Sequence, residues 1–175
     1  SDSGGFQVMS LVKRSGFKGE ITDKGMTLWY SKKNKVTLSP EDSIAFQMDL
    51  KPDMVVVLDD FTTPESNRMD AEETVERTTR WAKRCKVEFD KQCKQRKLSE
   101  KERPYRLGVV QGGEYLDLRE QSTKALVEIG FDGLGYGGWP VQNDGSFNYD
   151  VAEVIKKHSP EHYLLYGLGI GKPDE

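Results

Sequence analysis

Four short apolar runs constrain this chain more than any other feature. They are Met54–Leu58, Leu107–Val110, Gly133–Tyr136 and Tyr163–Tyr166. Each ends in a loop rich in Gly, Asp or Gln: Asp59-Asp60, Gln111-Gly112-Gly113, Gly137-Gly138 and Gly167-Leu168-Gly169. None alternates apolar with polar residues. A strand with one wet face alternates, whereas an unbroken apolar run of four or five residues suits a strand buried on both faces, as in a parallel sheet.

Helical periodicity fills the intervals. Ala71, Val75, Thr78, Ala82, Cys85 and Phe89 repeat at helical spacing within Asp70–Phe89. Leu118, Ser122, Ala125 and Ile129 do so within Glu114–Ile129, and Gly130 is placed to end that helix. Ser39-Pro40-Glu41-Asp42 reads as an N-cap with Pro at the first helical position, opening a helix to Met48 or Asp49. Asp150 is expected to cap a helix through Lys157, with Pro160 beyond its end. Helix and strand alternate four times, which predicts βαβ units and the α/β class. Gly19–Thr37 departs from this plan. Its Glu20–Thr22, Met26–Tyr30 and Lys35–Thr37 segments predict a small antiparallel excursion.

Composition narrows the function classes. The 175 residues carry 31% charged residues and a net charge of −3, so bulk charge does not drive nucleic-acid binding. The longest apolar run is far short of the ~18 residues of a membrane span. The first residues, Ser1-Asp2-Ser3-Gly4-Gly5, form no secretory signal. Two cysteines make no disulfide framework, and a cytoplasmic location follows as the expectation. Cys85 and Cys93 lack a CxxC partner or a suitably spaced His, so no metal site is expected. His158 and His162 read as surface or helix-end residues. Lys91–Arg103 reads as a solvated face, and Trp29 and Trp81 as packing residues.

Ligands in α/β proteins bind at the carboxyl ends of the strands. That is where Asp59, Asp60, Gln111, Gly137 and Gly138 fall, while Asp2 precedes a Ser3–Gln7 turn. A single carboxylate there serves equally well as a helix cap. Amide and carboxylate groups on successive strand ends offer donors and acceptors to the edge of a planar heterocycle, and glycines let the backbone approach it. A purine-like base fits better than a phosphate, because neither GxxxxGK[ST] nor GxGxxG occurs.

Several blocks together carry a resemblance. They are Asp2–Leu11 (DSGGFQVMSL), Leu38–Ile44, Glu76–Ala82, Val109–Gly113 (VVQGG), Phe131–Gly138 (FDGLGYGG), Tyr163–Gly169 and Gly171–Asp174. In this order they resemble the queuine/archaeosine tRNA-ribosyltransferases, or tRNA-guanine transglycosylases. The resemblance implies a (β/α)8 TIM-barrel type of fold. Residues 1–175 would be a single, partial barrel domain, since a whole barrel takes ~250 residues. It implies a pentosyltransferase of queuosine-type tRNA modification. Such an enzyme exchanges guanine for a 7-deazaguanine base (queuine or preQ1 type) in tRNA through a covalent ribosyl-enzyme intermediate.

The resemblance also implies roles. Asp2 matches the general acid/base. Phe6 matches the aromatic stacked on the base, and Tyr166 stands where a Met packs the other face. Asp59 and Gln111 match the groups reading the polar edge. Gly137 and Gly138 line it, Gly138 giving a backbone N–H, and Trp139 replaces a Leu. Phe61 replaces a small residue or Cys. The nucleophilic Asp and the zinc ligands are expected beyond Glu175, so no cofactor is expected in this chain. Expected partners are tRNA, the base, and a second subunit in a homodimer or heterodimer. Three alternatives stand beside this reading. They are a non-catalytic or truncated base-binding subunit, a DNA-modifying relative, and an unrelated hydrolase using Asp2 and Asp59 as a carboxylate pair.

Overall fold

The computed structural model describes residues 1–15, 18–63, 66–141 and 145–170. The side chains of Met9 and of residues 12–15 are outside that set. The Gly171–Asp174 block also lies outside the described residues. The chain forms two compact units, one of residues 1–59 with 80–105 and one of residues 60–79 with 106–175.

The first unit opens with a helix, α1 (Gly5–Ser15), where the sequence suggests a turn. Asp2 and Ser3 explain the difference. Asp2 Oδ1 accepts from Ser3 N at 2.7 Å, Asp2 Oδ2 accepts from Gln7 Nε2 at 3.2 Å, and Ser3 Oγ accepts from Gly5 N at 3.4 Å. Ser3 Oγ thereby holds one of the first-turn amides, which have no partner within the helix, and Asp2 Oδ2 holds the Gln7 side chain. The excursion follows as β1 (Lys18–Thr22), β2 (Gly25–Trp29) and β3 (Lys35–Leu38), an antiparallel sheet with β2 central. Lys18 and Lys35 both pair with Trp29 in register, and their ammonium groups lie 5.1 and 5.7 Å from its ring.

Helix α2 (Pro40–Asp49) starts as the sequence predicts. Ser39 Oγ accepts from Asp42 N, and Asp42 Oδ2 accepts from Ser39 N, each at 3.1 Å. This reciprocal cap is worth about 1 kcal/mol. Strand β4 is shorter than its apolar run, Met54–Val56, although Val57 and Leu58 are also fully buried.

Helix α3 (Arg68–Gln95) extends past the predicted Phe89 and threads both units. In the first unit it buries Ala82, Cys85 and Phe89 of the predicted stripe, and Trp81 as well. Trp81 Nε1 donates to Asp23 O at 3.1 Å, which gives the buried indole its partner. Arg96 pairs with Asp49, Lys91 with Glu88 and Arg103 with Glu100, so much of the charge run is tied to local carboxylates.

The second unit holds a parallel sheet. Strand β5 (Tyr105–Val110) enters it at Arg106, followed by β6 (Gly133–Tyr136) and β7 (Leu164–Gly167). Leu107 pairs with Gly133 and Val110 with Tyr136; Gly133 pairs with Leu164 and Tyr136 with Gly167. Residues 106–110 of β5 and all of β6 are buried, as unbroken apolar runs require. β7 instead alternates exposed and half-buried residues, because it stands at the end of the strand order.

Helix α4 (Leu116–Ile129) ends at Gly130, whose φ is +88°. Its buried face is Leu118, Arg119, Ser122, Thr123 and Leu126, rotated from the predicted one. Thr123 Oγ1 donates to Arg119 O at 2.7 Å, so its hydroxyl is satisfied in the interior. Helix α5 (Tyr149–Lys157) is capped by Asn148, not Asp150. The helix begins at Tyr149, so the acceptor for Val151 N must come from position 148. Asp150 sits inside the first turn, where its charge suits the helix dipole. His158 closes the helix and lies 3.4 Å from Glu120 Oε2.

Candidate functional site

The predicted residues fall into two sets, each assembled within one unit. In the first unit Asp2 is exposed at the start of α1, and the segment behind it is anchored. Ser3 O accepts from Ser43 Oγ at 2.7 Å, and the Ser1 amino group donates to Met54 O at 2.7 Å. Phe6 lies on α1 with 49% of its surface exposed. Asp59 is half-buried just beyond β4. Gly5 joins these pieces. A Cβ there would sit 3.1 Å from Leu58 Cδ1 and 3.2 Å from Asp59 O, so its bare backbone lets α1 lie against the end of the β4 segment. Gly5 therefore brings the start of α1 beside Asp59, more than fifty residues further along the sequence.

In the second unit Gln111 follows β5 and is fully buried, and Ser122 Oγ accepts from its backbone N at 3.1 Å. Its side chain lies across the turn after β6. A Cβ on Gly137 would meet Gln111 Nε2 at 2.5 Å and Val110 O at 2.9 Å, and one on Gly138 would lie 3.5 Å from Gln111 Oε1. Gly138 has φ +84°, in the left-handed region that favours glycine. Gln111, Gly137 and Gly138 are thus brought together. Trp139 projects with 46% exposure next to them. Tyr166 lies on β7 opposite Gly135, 43% exposed.

Two groups were not anticipated in these roles. The first is Arg119, only 1% exposed. Its Nη1 donates to Val110 O at 2.8 Å and to Gly137 O at 2.9 Å, and its Nε to Gly113 O at 2.8 Å. The guanidinium lies 4.9 Å from the Tyr136 ring centroid. Burial pulls its pKa down to about 10, so it stays charged at neutral pH. The second is the Asp60–Arg77 pair. Arg77 donates to both Asp60 and Glu73, and Thr78 Oγ1 accepts from Asp60 N and donates to Asp60 O, each at 3.0 Å. Burial raises the Asp60 carboxyl against the opposing pull of Arg77. Asp60 is a paired interior group. The signal that could have found Arg119 is a cation on the same helical face as Ser122, Thr123 and Leu126.

Among the described residues no group of three or more His, Cys, Asp or Glu is arranged to hold a metal ion, and no helix is long and apolar enough to cross a membrane.

Comparison with known proteins agrees with the resemblance. The sequence profile of the family described as queuine tRNA-ribosyltransferase matches residues 1–175. Queuine tRNA-ribosyltransferases of Staphylococcus aureus strains JH9, JH1 and Mu3 are each 37% identical to the chain over 178 residues, covering 99% of it. The chain spans 43% of the length of each of these relatives.

Proposed function

Because the chain belongs to the queuine tRNA-ribosyltransferase family, we propose that it supplies the base-binding part of a tRNA-guanine transglycosylase. Such a pentosyltransferase replaces a guanine of tRNA with a 7-deazaguanine base of the queuine or preQ1 type. The fold then takes its finer form as part of a (β/α)8 barrel in a single domain. The parallel β5–β7 sheet and the strand–helix alternation support this. A cytoplasmic location and pairing with a second subunit belong to the same reading.

The observation that carries the proposal is the assembly of Gln111, Gly137 and Gly138 at adjacent strand ends in a chain of this family. The Gly138 N–H and the Gln111 amide offer donors to a base carbonyl. The Asp59 carboxylate offers an acceptor to base N–H groups. Phe6 and Tyr166, both partly exposed, are assigned to the two faces of the ring, with Trp139 at its border.

In the exchange, a carboxylate assigned to the protein outside these residues attacks the anomeric carbon. The glycosidic bond breaks as Asp2 gives a proton to the departing guanine. The incoming base then attacks the same carbon, Asp2 takes back a proton, and the carboxylate is released.

Calorimetry tests the base site directly. The chain is expected to bind 7-deazaguanine, and Asp59→Ala to weaken that binding by removing a charged acceptor worth about 1.5–3 kcal/mol. Unchanged affinity in the variant would overturn the assignment. Incorporation of labelled guanine into tRNA by a protein carrying this chain tests the reaction; hydrolysis without exchange would point away from it.

A further inference from the structure

We propose that Arg119 is a positioning residue that aims the Gly138 N–H and the Gln111 side chain. The inference rests on the base-site reading for its consequence, and on the clamp itself for its geometry.

A peptide unit turns about its Cα atoms as a rigid plane, so holding its carbonyl also fixes the direction of the N–H on the same plane. Gly137 O and Gly138 N belong to one such plane. Gly137 has no Cβ to restrain the chain, and the next residue is a glycine at φ +84°. A turn built from two glycines has many conformations of similar energy, and its N–H points nowhere in particular unless something outside it intervenes. Arg119 Nη1 intervenes, accepted by Gly137 O at 2.9 Å.

The same Nη1 is accepted by Val110 O at 2.8 Å, and Val110 O also accepts from Gly137 N at 3.0 Å. Val110 O shares its peptide plane with Gln111 N, which donates to Ser122 Oγ at 3.1 Å. One nitrogen atom therefore fixes the plane that leads into Gln111 and the plane that carries the Gly138 N–H. Nε holds a third carbonyl, Gly113 O, beyond Gln111. Arg119 and Ser122 lie three residues apart on one face of α4, so a rigid helix presents both restraints.

The chemistry requires arginine. The planar guanidinium carries five N–H donors in fixed directions, and here it serves three carbonyls while its face rests on the Tyr136 ring. Among the described residues no carboxylate is one of these partners, so the buried charge is held by carbonyl dipoles and the face of the Tyr136 ring. A lysine in the same place keeps the charge but has no fork to span three carbonyls, and it loses the stacked plane. A preorganised donor pair costs a ligand less ordering on binding than a mobile one, and the gain appears in affinity.

The test compares Arg119→Lys and Arg119→Met with the unaltered chain. In the ligand-free protein, the amide resonances of Gln111 and Gly138 are expected to shift or broaden in Arg119→Met and to recover in part in Arg119→Lys. Amides in the β1–β3 sheet serve as the control and stay in place. Calorimetry with 7-deazaguanine is expected to show binding weakened by about tenfold in Arg119→Met, as loss of one well-placed hydrogen bond would give. The loss is expected to shrink with the analogue that lacks the 6-oxo group, because that group is the acceptor for the donors in question. Unmoved Gln111 and Gly138 amides in a folded Arg119→Lys chain would overturn the inference. So would equal loss for both ligands, which marks a general structural role. If the unaltered chain binds no base while the amides still respond to substitution, the clamp stands and the base-site reading falls.

Discussion

Gln47 is bonded to Val56 in both directions: its Nε2 donates to Val56 O at 2.8 Å and its Oε1 accepts from Val56 N at 3.0 Å. The side-chain amide copies the pairing of a neighbouring strand residue, and it does so fully buried. It ties α2 to β4 next to Asp59. Gln47→Leu keeps the volume and leaves two backbone groups without partners. It is expected to destabilise the chain by about 2–4 kcal/mol, read from the urea midpoint; a loss below about 0.5 kcal/mol would show that water replaces the amide.

Glu41 and Arg84 join α2 to α3 by two parallel bonds of 2.6 and 2.7 Å. The hydrogen bond from Arg84 holds the Glu41 carboxyl below its ordinary value of 4.5. A carboxyl depressed in the folded state contributes stability that is present above its unfolded pKa. That contribution is lost as pH falls from about 4.5 through the folded value. Both side chains are more than a third exposed (36% and 40%), so screening keeps the effect below about 1 kcal/mol. The melting temperature of the unaltered chain is expected to fall more steeply below pH 4.5 than that of Glu41→Gln. Parallel curves would remove this pair from the acid response.

Cys85 is fully buried, and burial pushes its thiol up to about 12. At pH 8 almost none of it is thiolate, the reactive form. Iodoacetamide treatment of the folded chain, followed by mass spectrometry, is expected to leave Cys85 unmodified while denaturation exposes it. Modification of Cys85 at the denatured rate under native conditions would show that α3 opens readily around it.

Gly137→Ala would push a methyl group onto Gln111 Nε2, 2.5 Å from the new Cβ, and onto Val110 O at 2.9 Å. Gly138→Ala meets nothing closer than 3.4 Å but strains a φ of +84°, at roughly 1–2 kcal/mol. On the proposed base site, the Gly137 substitution is therefore expected to weaken 7-deazaguanine binding more than the Gly138 substitution, because it moves both the Gln111 side chain and the backbone of the turn after β6. The reverse order in calorimetry would place the key restriction in the backbone conformation of Gly138 instead.

The strands, most of the helices and the strand-end placement of Gln111, Gly137 and Gly138 were legible in the order of the residues. Apolar runs of Val and Leu, the Ser39-Pro40 start, the stripe from Ala71 to Phe89 and the glycine after Ile129 each act over a few neighbouring residues, and local rules suffice for them. Start signals were less secure. Ser3 holds the first amide of a helix where glycines suggested a turn, and Asn148 caps α5 in place of Asp150. In both cases the outcome depends on which side chain reaches a free amide. Tertiary structure alone decided what surrounds the polar groups. Asp60 is held in the interior because Arg77 and Thr78 fold back on it. Arg119 gains its place because helix α4 carries a guanidinium to carbonyls from three separate points along the chain. A periodic pattern records which face of a helix turns inward. It does not record the partners waiting there, because those are set by distances that exist only once the strands have paired.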